Sequence, residues 1–179
     1  MGGSMDVRDL ARAAAAGDHH GWNGLVERFG ELVWSTVRAH GLRSDDSADV
    51  VQTTWLRLAE QLHRLQDEHD RLGVWLAATA KRESQRLLRS GTPAMAVGEE
   101  TDAKPAGGPT SSADNLVWWV IHDLPEHCRR LLRILMSTPP PSYEEVAAAL
   151  DLPADRIAHA RAECLEEFRR RMAGIGIKA

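Results

Sequence analysis

Apolar residues recur every three or four positions along most of the chain, and nowhere do they alternate over the length of a strand. That period predicts α-helices throughout. In the first half the expected helices are four. Residues 6–16 are Ala-rich and stop at Gly17-Asp18. Residues 22–40 carry Trp22, Leu25, Val26, Phe29, Leu32, Val33 and Val37 as an inward stripe, and Gly41 supplies the stop. A third helix begins after Ser44-Asp45-Asp46, whose side chains suit an N-terminus, and runs inward through Val50, Val51, Trp55, Leu58 and Leu62. The fourth, residues 72–88, turns Trp75, Leu76, Thr79, Ala80, Leu87 and Leu88 inward.

The pattern breaks between Ser90 and Ser112, a stretch with Gly91, Pro93, Gly98, Pro105, Gly107, Gly108 and Pro109 and no apolar period. Such a composition buries too little surface to offset its ordering entropy, so a flexible linker is expected over 91–112. Beyond it, residues 114–123 and 125–137 read as helices, the latter with Leu131, Leu132 and Leu135 in its core, until Pro139-Pro140-Pro141 ends it. Ser142 then caps a helix, with Glu145 completing a capping-box pattern. Leu150-Asp151-Leu152-Pro153 makes a turn into a last helix, 154–172. There Ile157, Cys164, Leu165, Phe168 and Met172 face the core, leaving Arg156, His159, Glu163 and Arg170 outside. Helix, short turn and helix read as a helix-turn-helix, whose second helix normally lies in a DNA major groove. The fold expected is all-α, with two small helical domains at 5–90 and 113–173 and a tail at 174–179. Met1–Ser4 reads as an added leader before a native Met5.

Charge and composition narrow the chemistry. The chain has 179 residues, is 43% apolar and has a net charge of −4. It contains no apolar run long enough to span a membrane. An acidic protein is a poor indiscriminate binder of nucleic acid, because such binding rests on neutralising many phosphates. The distribution is uneven, however: from Arg71 to Ser90 there are five basic residues against the single acid Glu83. Residues 113–179 hold nine basic and ten acidic side chains. DNA affinity is therefore expected to be local and weak without a partner. Cys128 and Cys164 read as reduced core thiols of a cytosolic protein. The eight histidines are scattered, and His122, His127 and Cys128 make no recognisable metal spacing. Neither a phosphate-cradling Gly loop nor a nucleophile motif is present, so no enzyme, metal or cofactor is expected.

Three segments, in order, carry a family resemblance. Asp49-Val50-Val51-Gln52-Thr53-Thr54-Trp55-Leu56-Arg57-Leu58 resembles the part of sigma-70 region 2 that docks on the β′ clamp helices of RNA polymerase. Gly73-Val74-Trp75-Leu76-Ala77-Ala78-Thr79-Ala80-Lys81-Arg82-Glu83 resembles the segment that recognises and melts the −10 promoter element. Leu124-Pro125-Glu126-His127-Cys128-Arg129-Arg130-Leu131-Leu132, followed by Pro140-Pro141-Ser142-Tyr143-Glu144-Glu145-Val146-Ala147, resembles region 4, which reads the −35 element. The order and the intervening linker are those of the extracytoplasmic-function (group IV) sigma factors, and the wording is similar to actinobacterial members.

The resemblance implies a set of roles. Asp49, Gln52, Thr53 and Arg57 bind core polymerase. Lys81, Arg82, Gln85, Arg86 and Arg89 form the −10 stripe, where Arg and Lys neutralise phosphates and Gln can bond a base edge. Ser142, Tyr143, Arg156, His159 and Arg161 form the −35 set. The loop over 65–72, with Asp67, Glu68, His69, Asp70 and Arg71, is where relatives capture a flipped base; Trp75 reads as core. The implied partners are the polymerase core through the β′ clamp helices and β flap, promoter DNA and an anti-sigma protein, in the cytoplasm. One departure stands out: Glu163, Glu166 and Glu167 make the last helix more acidic than in relatives. That leaves two alternatives, a sigma-like interaction protein that has lost promoter reading and a stand-alone helix-turn-helix regulator.

Overall fold

The computed structural model describes residues 6–65, 68–90 and 112–174. The expected leader, the 91–111 part of the expected linker and the last five residues lie outside the described residues. In chain order the elements are α1 (Val7–Ala15), α2 (His19–Ala39), α3 (Ser44–Leu65), a 3-10 turn at His69–Arg71 and α4 (Leu72–Arg89). There follow α5 (Ser112–Asp123), α6 (Glu126–Leu135), α7 (Tyr143–Leu150) and α8 (Ala154–Gly174). No strand occurs among the described residues. The fold is all-α, as the hydrophobic period predicts.

Local chemistry sets the ends. The Asp18 carboxylate accepts the His20 backbone N–H at 2.8 Å, so α2 starts one turn earlier than its first tryptophan suggests. Gly41, at φ +73°, closes it by donating to the Arg38 carbonyl at 3.1 Å, a left-handed position that glycine occupies without strain. Asp45 and Asp46 lie inside the first turn of α3, not before it, where their charges favour the helix dipole.

A single buried cluster runs through the molecule. Leu25, Phe29, Leu32, Val33 and Val37 of α2 meet Val50, Val51, Leu58 and Leu62 of α3 and Leu72, Leu76, Ala77 and Ala80 of α4. Two expected core residues are exposed instead. Val26 lies at the margin of the buried arc of α2, and Leu88 is in the last turn of α4, where Leu87 turns inward. Trp22 and Trp55 are only half-buried and pack edge to face, their ring centres 6.1 Å apart.

The same cluster continues into the second half through Leu131, Leu132, Ile134, Val146, Ala149 and Ile157. The halves are packed together, with α7 lying on α4 and α6 on α2. Polar contacts hold the seam. Ser35 and Ser137 share a buried hydroxyl–hydroxyl bond of 2.7 Å, and the Thr138 N–H donates to the Glu31 carboxylate at 2.8 Å. Arg133 donates to the Arg38 carbonyl at 3.2 Å, and His40 Nε2 lies 3.1 Å from the Ala149 carbonyl. Burial lowers the His40 pKa, with Arg130 and Lys81 adding to the effect and the Ala149 hydrogen bond opposing it. A basic group with a depressed folded pKa is easier to protonate once released. Its contribution is therefore complete above the ordinary value of 6.5 and is lost as pH falls below it. Thermal unfolding of the full chain should shift down between pH 7.5 and 5.5, and His40→Gln should make the curve flatter than wild type over that interval.

Cys128 and Cys164 are not the free thiols expected. They form a disulfide with Cα atoms 5.2 Å apart, on the faces of α6 and α8 that meet. Helical spacing placed both in the core but said nothing of the crossing that brings them together. The bridge closes a loop spanning 36 positions, which by loop-closure entropy stabilises the fold by about 4 kcal/mol. Calorimetry of Cys128→Ala/Cys164→Ala should accordingly show a melting temperature about 10 °C below that of the oxidised wild type.

Candidate polymerase and promoter interface

On α3 the buried positions Val50, Val51, Thr54 and Leu58 fix the opposite arc as surface. Thr54 is tolerated in the core because its hydroxyl donates to the Val50 carbonyl at 2.8 Å. Asp49 and Gln52 are exposed on the outer arc and Thr53 is half-buried beside them. Arg57 sits at the edge of this patch and leans towards α4, 3.7 Å from both Glu60 and Glu83. Leu56, which charge-based reasoning passed over, is 56% exposed in the middle of the patch. Its signal was present in the sequence: a large apolar residue one position off the buried arc.

The basic residues of α4 divide into two groups. Arg82, Arg86 and Arg89 are exposed, with Gln85 half-buried among them. Arg82 donates to the Thr79 hydroxyl at 3.1 Å and Arg86 lies 3.3 Å from Glu83, so both guanidinium groups are steadied on the helix. Glu83, the only acid here, is thereby occupied by Arg57 and Arg86 and does not confront a phosphate chain alone. Lys81 is set apart. Its side chain is 15% exposed, and Nζ contacts the Asp151 carboxylate of the other half at 2.8 Å. The Lys81 ammonium holds the Asp151 carboxyl below the ordinary carboxylate range.

Of the loop between α3 and α4, Glu68 to Arg71 are described and Asp67 lies outside. His69 is buried, not presented to a ligand. Its Nε2 accepts from Arg8 Nε at 3.0 Å and lies 3.1 Å from the Asp70 carboxylate, while Nδ1 has no partner. Trp75 is half-buried against the core.

The helix-turn-helix forms as the capping signals predict. The Ser142 hydroxyl accepts the Glu145 N–H at 3.2 Å, and the Glu145 carboxylate accepts the Ser142 N–H at 2.7 Å. Asp151 takes the left-handed conformation that ends α7, and the Leu152 N–H returns to the Ala147 carbonyl at 3.2 Å. Arg156, His159 and Arg161 are all exposed on α8. They do not share a face: Arg161 is turned roughly 140° from Arg156. His159 lies beside Arg156 instead, in an ion pair of 3.3 Å with Glu163 when protonated. Tyr143 is partly exposed, and the Ser142 hydroxyl is engaged in its cap. His127, Cys128 and Cys164 place donor atoms within 4.8 Å of one another, but both sulfurs are in the disulfide and neither is a thiolate ligand.

Two helical units with a basic helix in the first therefore lie behind the surface described. Residues 25–93, spanning α3, α4 and most of α2, match the family model described as sigma-70 region 2. That segment of the chain is similar to sigma-70 region 2. The match supports a sigma factor's function in transcription initiation. The solved structure of CnrH in complex with the cytosolic domain of CnrY has a similar fold, with a TM-score of 0.59 at 20% identity, over 94% of this chain and 99% of that one. No curated protein matches the sequence. Among the described residues no helix is long and apolar enough to cross a membrane.

The capping box is the local feature on which the second unit most directly rests. Ser142→Ala should cost about 1 kcal/mol of stability, measured by urea unfolding, while Ser142→Asp should retain most of it.

Proposed function

We propose that this protein is a sigma factor of the extracytoplasmic-function group and works by dividing promoter recognition between its halves. The α3 patch of Asp49, Gln52, Thr53 and Leu56, with Arg57 at its edge, docks on the polymerase β′ clamp helices. The exposed arginines of α4, with Gln85 and Lys81, meet the −10 element. Region 4, carried by α6–α8, reads the −35 element through Tyr143, Arg156, His159 and Arg161 and contacts the β flap, with Ser142 setting the helix that bears them. The observation that carries this reading is the basic stripe of Arg82, Arg86 and Arg89, left exposed on α4 inside the segment that matches region 2. Arginine forks bond phosphate oxygens bidentately, which suits a surface that must hold a strand while polymerase opens the duplex. The reaction itself belongs to the polymerase. The site of action is the cytoplasm, where the polymerase is.

CnrH is bound in its structure to the cytosolic domain of CnrY. A corresponding anti-sigma protein is the natural restraint for the present chain. The fold that it shares with CnrH supports this.

A second reading follows from α8, where Glu163 pairs with His159 and faces the same way as Arg156. A carboxylate there repels phosphate unless it accepts from a cytosine amine, and on this second reading a protein contact replaces −35 recognition in a sigma-like regulator. Transcription from a promoter pool by purified core polymerase, with and without the chain, separates the two. Initiation at promoters sharing −10 and −35 motifs is expected. Core binding without initiation selects the regulator. Arg82→Ala/Arg86→Ala should lower initiation about tenfold or more and reduce the salt dependence of promoter binding by about two ions.

A further inference from the structure

We infer that the chain carries a metal site of its own: with the Cys128–Cys164 bridge reduced, the two thiolates and the His127 imidazole hold one zinc ion between α6 and α8. Cation binding does not depend on the sigma reading; only its consequence for α8 does.

The donors come from two helices. His127 and Cys128 are the second and third residues of α6, and Cys164 lies midway along α8. One ring nitrogen and the two sulfurs lie within 4.8 Å of one another. A tetrahedral zinc ion, about 2.3 Å from sulfur and about 2.0 Å from nitrogen, needs its ligands roughly 3.5–3.8 Å apart. Side-chain rotations reach that spacing once the bridge is open, because the Cα atoms of the cysteines are already 5.2 Å apart. Cys128 and Cys164 are buried, whereas His127 is exposed. The site is therefore dry on its sulfur side and open on its histidine side, which gives the ion an entry path and leaves a fourth position for water. The flanking carboxylates are already engaged, Asp123 by Arg171 and Glu126 by Arg130. In the first turn of α6, Cys128 also meets the positive end of the helix dipole, which favours its thiolate. Two thiolates and an imidazole are too soft a set for magnesium or calcium and suit zinc.

Disulfide and zinc exclude one another at these sulfurs. A dithiol reductant opens the bridge: its own two thiols close into a disulfide, and two electrons and two protons pass to Cys128 and Cys164. Zinc then displaces both protons, forming two Zn–S bonds and one Zn–N bond to His127. Cytosolic thiols are kept reduced, so the metal form is the one suited to a reducing compartment. In both states α6 and α8 are tied, by a covalent bond or by a shared cation, and only the reduced, metal-free chain lacks the tie. The helix that carries Arg156, His159 and Arg161 thus keeps its seat on α6 whichever redox state prevails.

The test uses the full-length chain, reduced with a phosphine and freed of it under nitrogen, with Co2+ as the optical stand-in for Zn2+. One equivalent of Co2+ should give a thiolate-to-cobalt charge-transfer band and the strong visible bands of a tetrahedral ion, and one equivalent of Zn2+ should remove them. The oxidised chain keeps all eight histidines and should show neither, which separates this site from binding by histidines alone. His127→Ala is a surface change that leaves the core intact. It should weaken zinc by at least about 10- to 100-fold, the loss that even a change outside the ligands produces. Zn2+ at a hundredfold over its Kd should raise the melting temperature of the reduced chain by about 5–10 °C. No thiolate band in the reduced chain, equal binding by the oxidised chain, or unchanged zinc affinity in His127→Ala overturns the site. So does binding without a rise in melting temperature, because a cation held equally well by the unfolded chain is not held by this fold.

Discussion

Glu145 carries two structural duties with one carboxylate. It completes the cap that starts α7, and it fills the hollow left by the absent side chain of Gly73. Because the cap fixes the carboxylate, the start of α7 and its distance from α4 are set together. Two contacts across the seam follow from that placement: Asp151 arrives over Lys81, and the Ala149 carbonyl arrives beside His40. A residue that tied α7 only to its own half, or only to the other, would leave the seam free to slide.

The seam also shows why buried polar groups are tolerable in a small helical protein. Ser35 and Ser137 satisfy one another across it, and Thr36, Thr54 and Ser84 return their hydroxyls to carbonyls one turn back on their own helices. A buried hydroxyl without a partner costs roughly 1–3 kcal/mol, so each of these bonds removes a penalty more than it adds attraction. The cross-seam pair differs in consequence. Ser35 also donates to the Leu32 carbonyl at 3.1 Å and keeps that bond without its partner, whereas Ser137 would need water in place of Ser35.

Much of this was legible from residue order. Helical periodicity placed the helices of both halves, and Ser142 with Glu145 announced the capping box that forms. Capping signals work at short range, which is why they read well: a side chain three residues away has little freedom to be elsewhere. What failed to read was whatever depends on how helices cross. Cys128 and Cys164 were assigned to the core correctly and to the wrong covalent state, since their pairing is decided by the approach of α6 and α8 and by nothing near either cysteine. Val26 and Leu88 fit a helical period but lie at the edges of arcs whose width is set by neighbours. Lys81 looked like the other bases of its stripe, and only the packing of a helix sixty residues on distinguishes it.

The candidate interface follows the same division. Resemblance pointed to particular helices, while which of their side chains reach solvent is set by packing. Arg161 and Arg156 read alike as cations of the last helix, yet helical rotation turns them to different sides, so one orientation of α8 in a groove cannot use both in the same way. The acids are likewise unequal. Glu83 sits between Arg57 and Arg86 and helps to space the positive charges of α4. Glu163 has only a histidine opposite it, and that pairing exists only while His159 is protonated. The two helices proposed to face DNA therefore differ at one acid. Glu83 of α4, like Glu166 and Glu167 of α8, is paired with arginines, whereas Glu163, on the side of Arg156, is neutralised only conditionally, so the proposed reading places the more robust nucleic-acid affinity on the first half of the molecule.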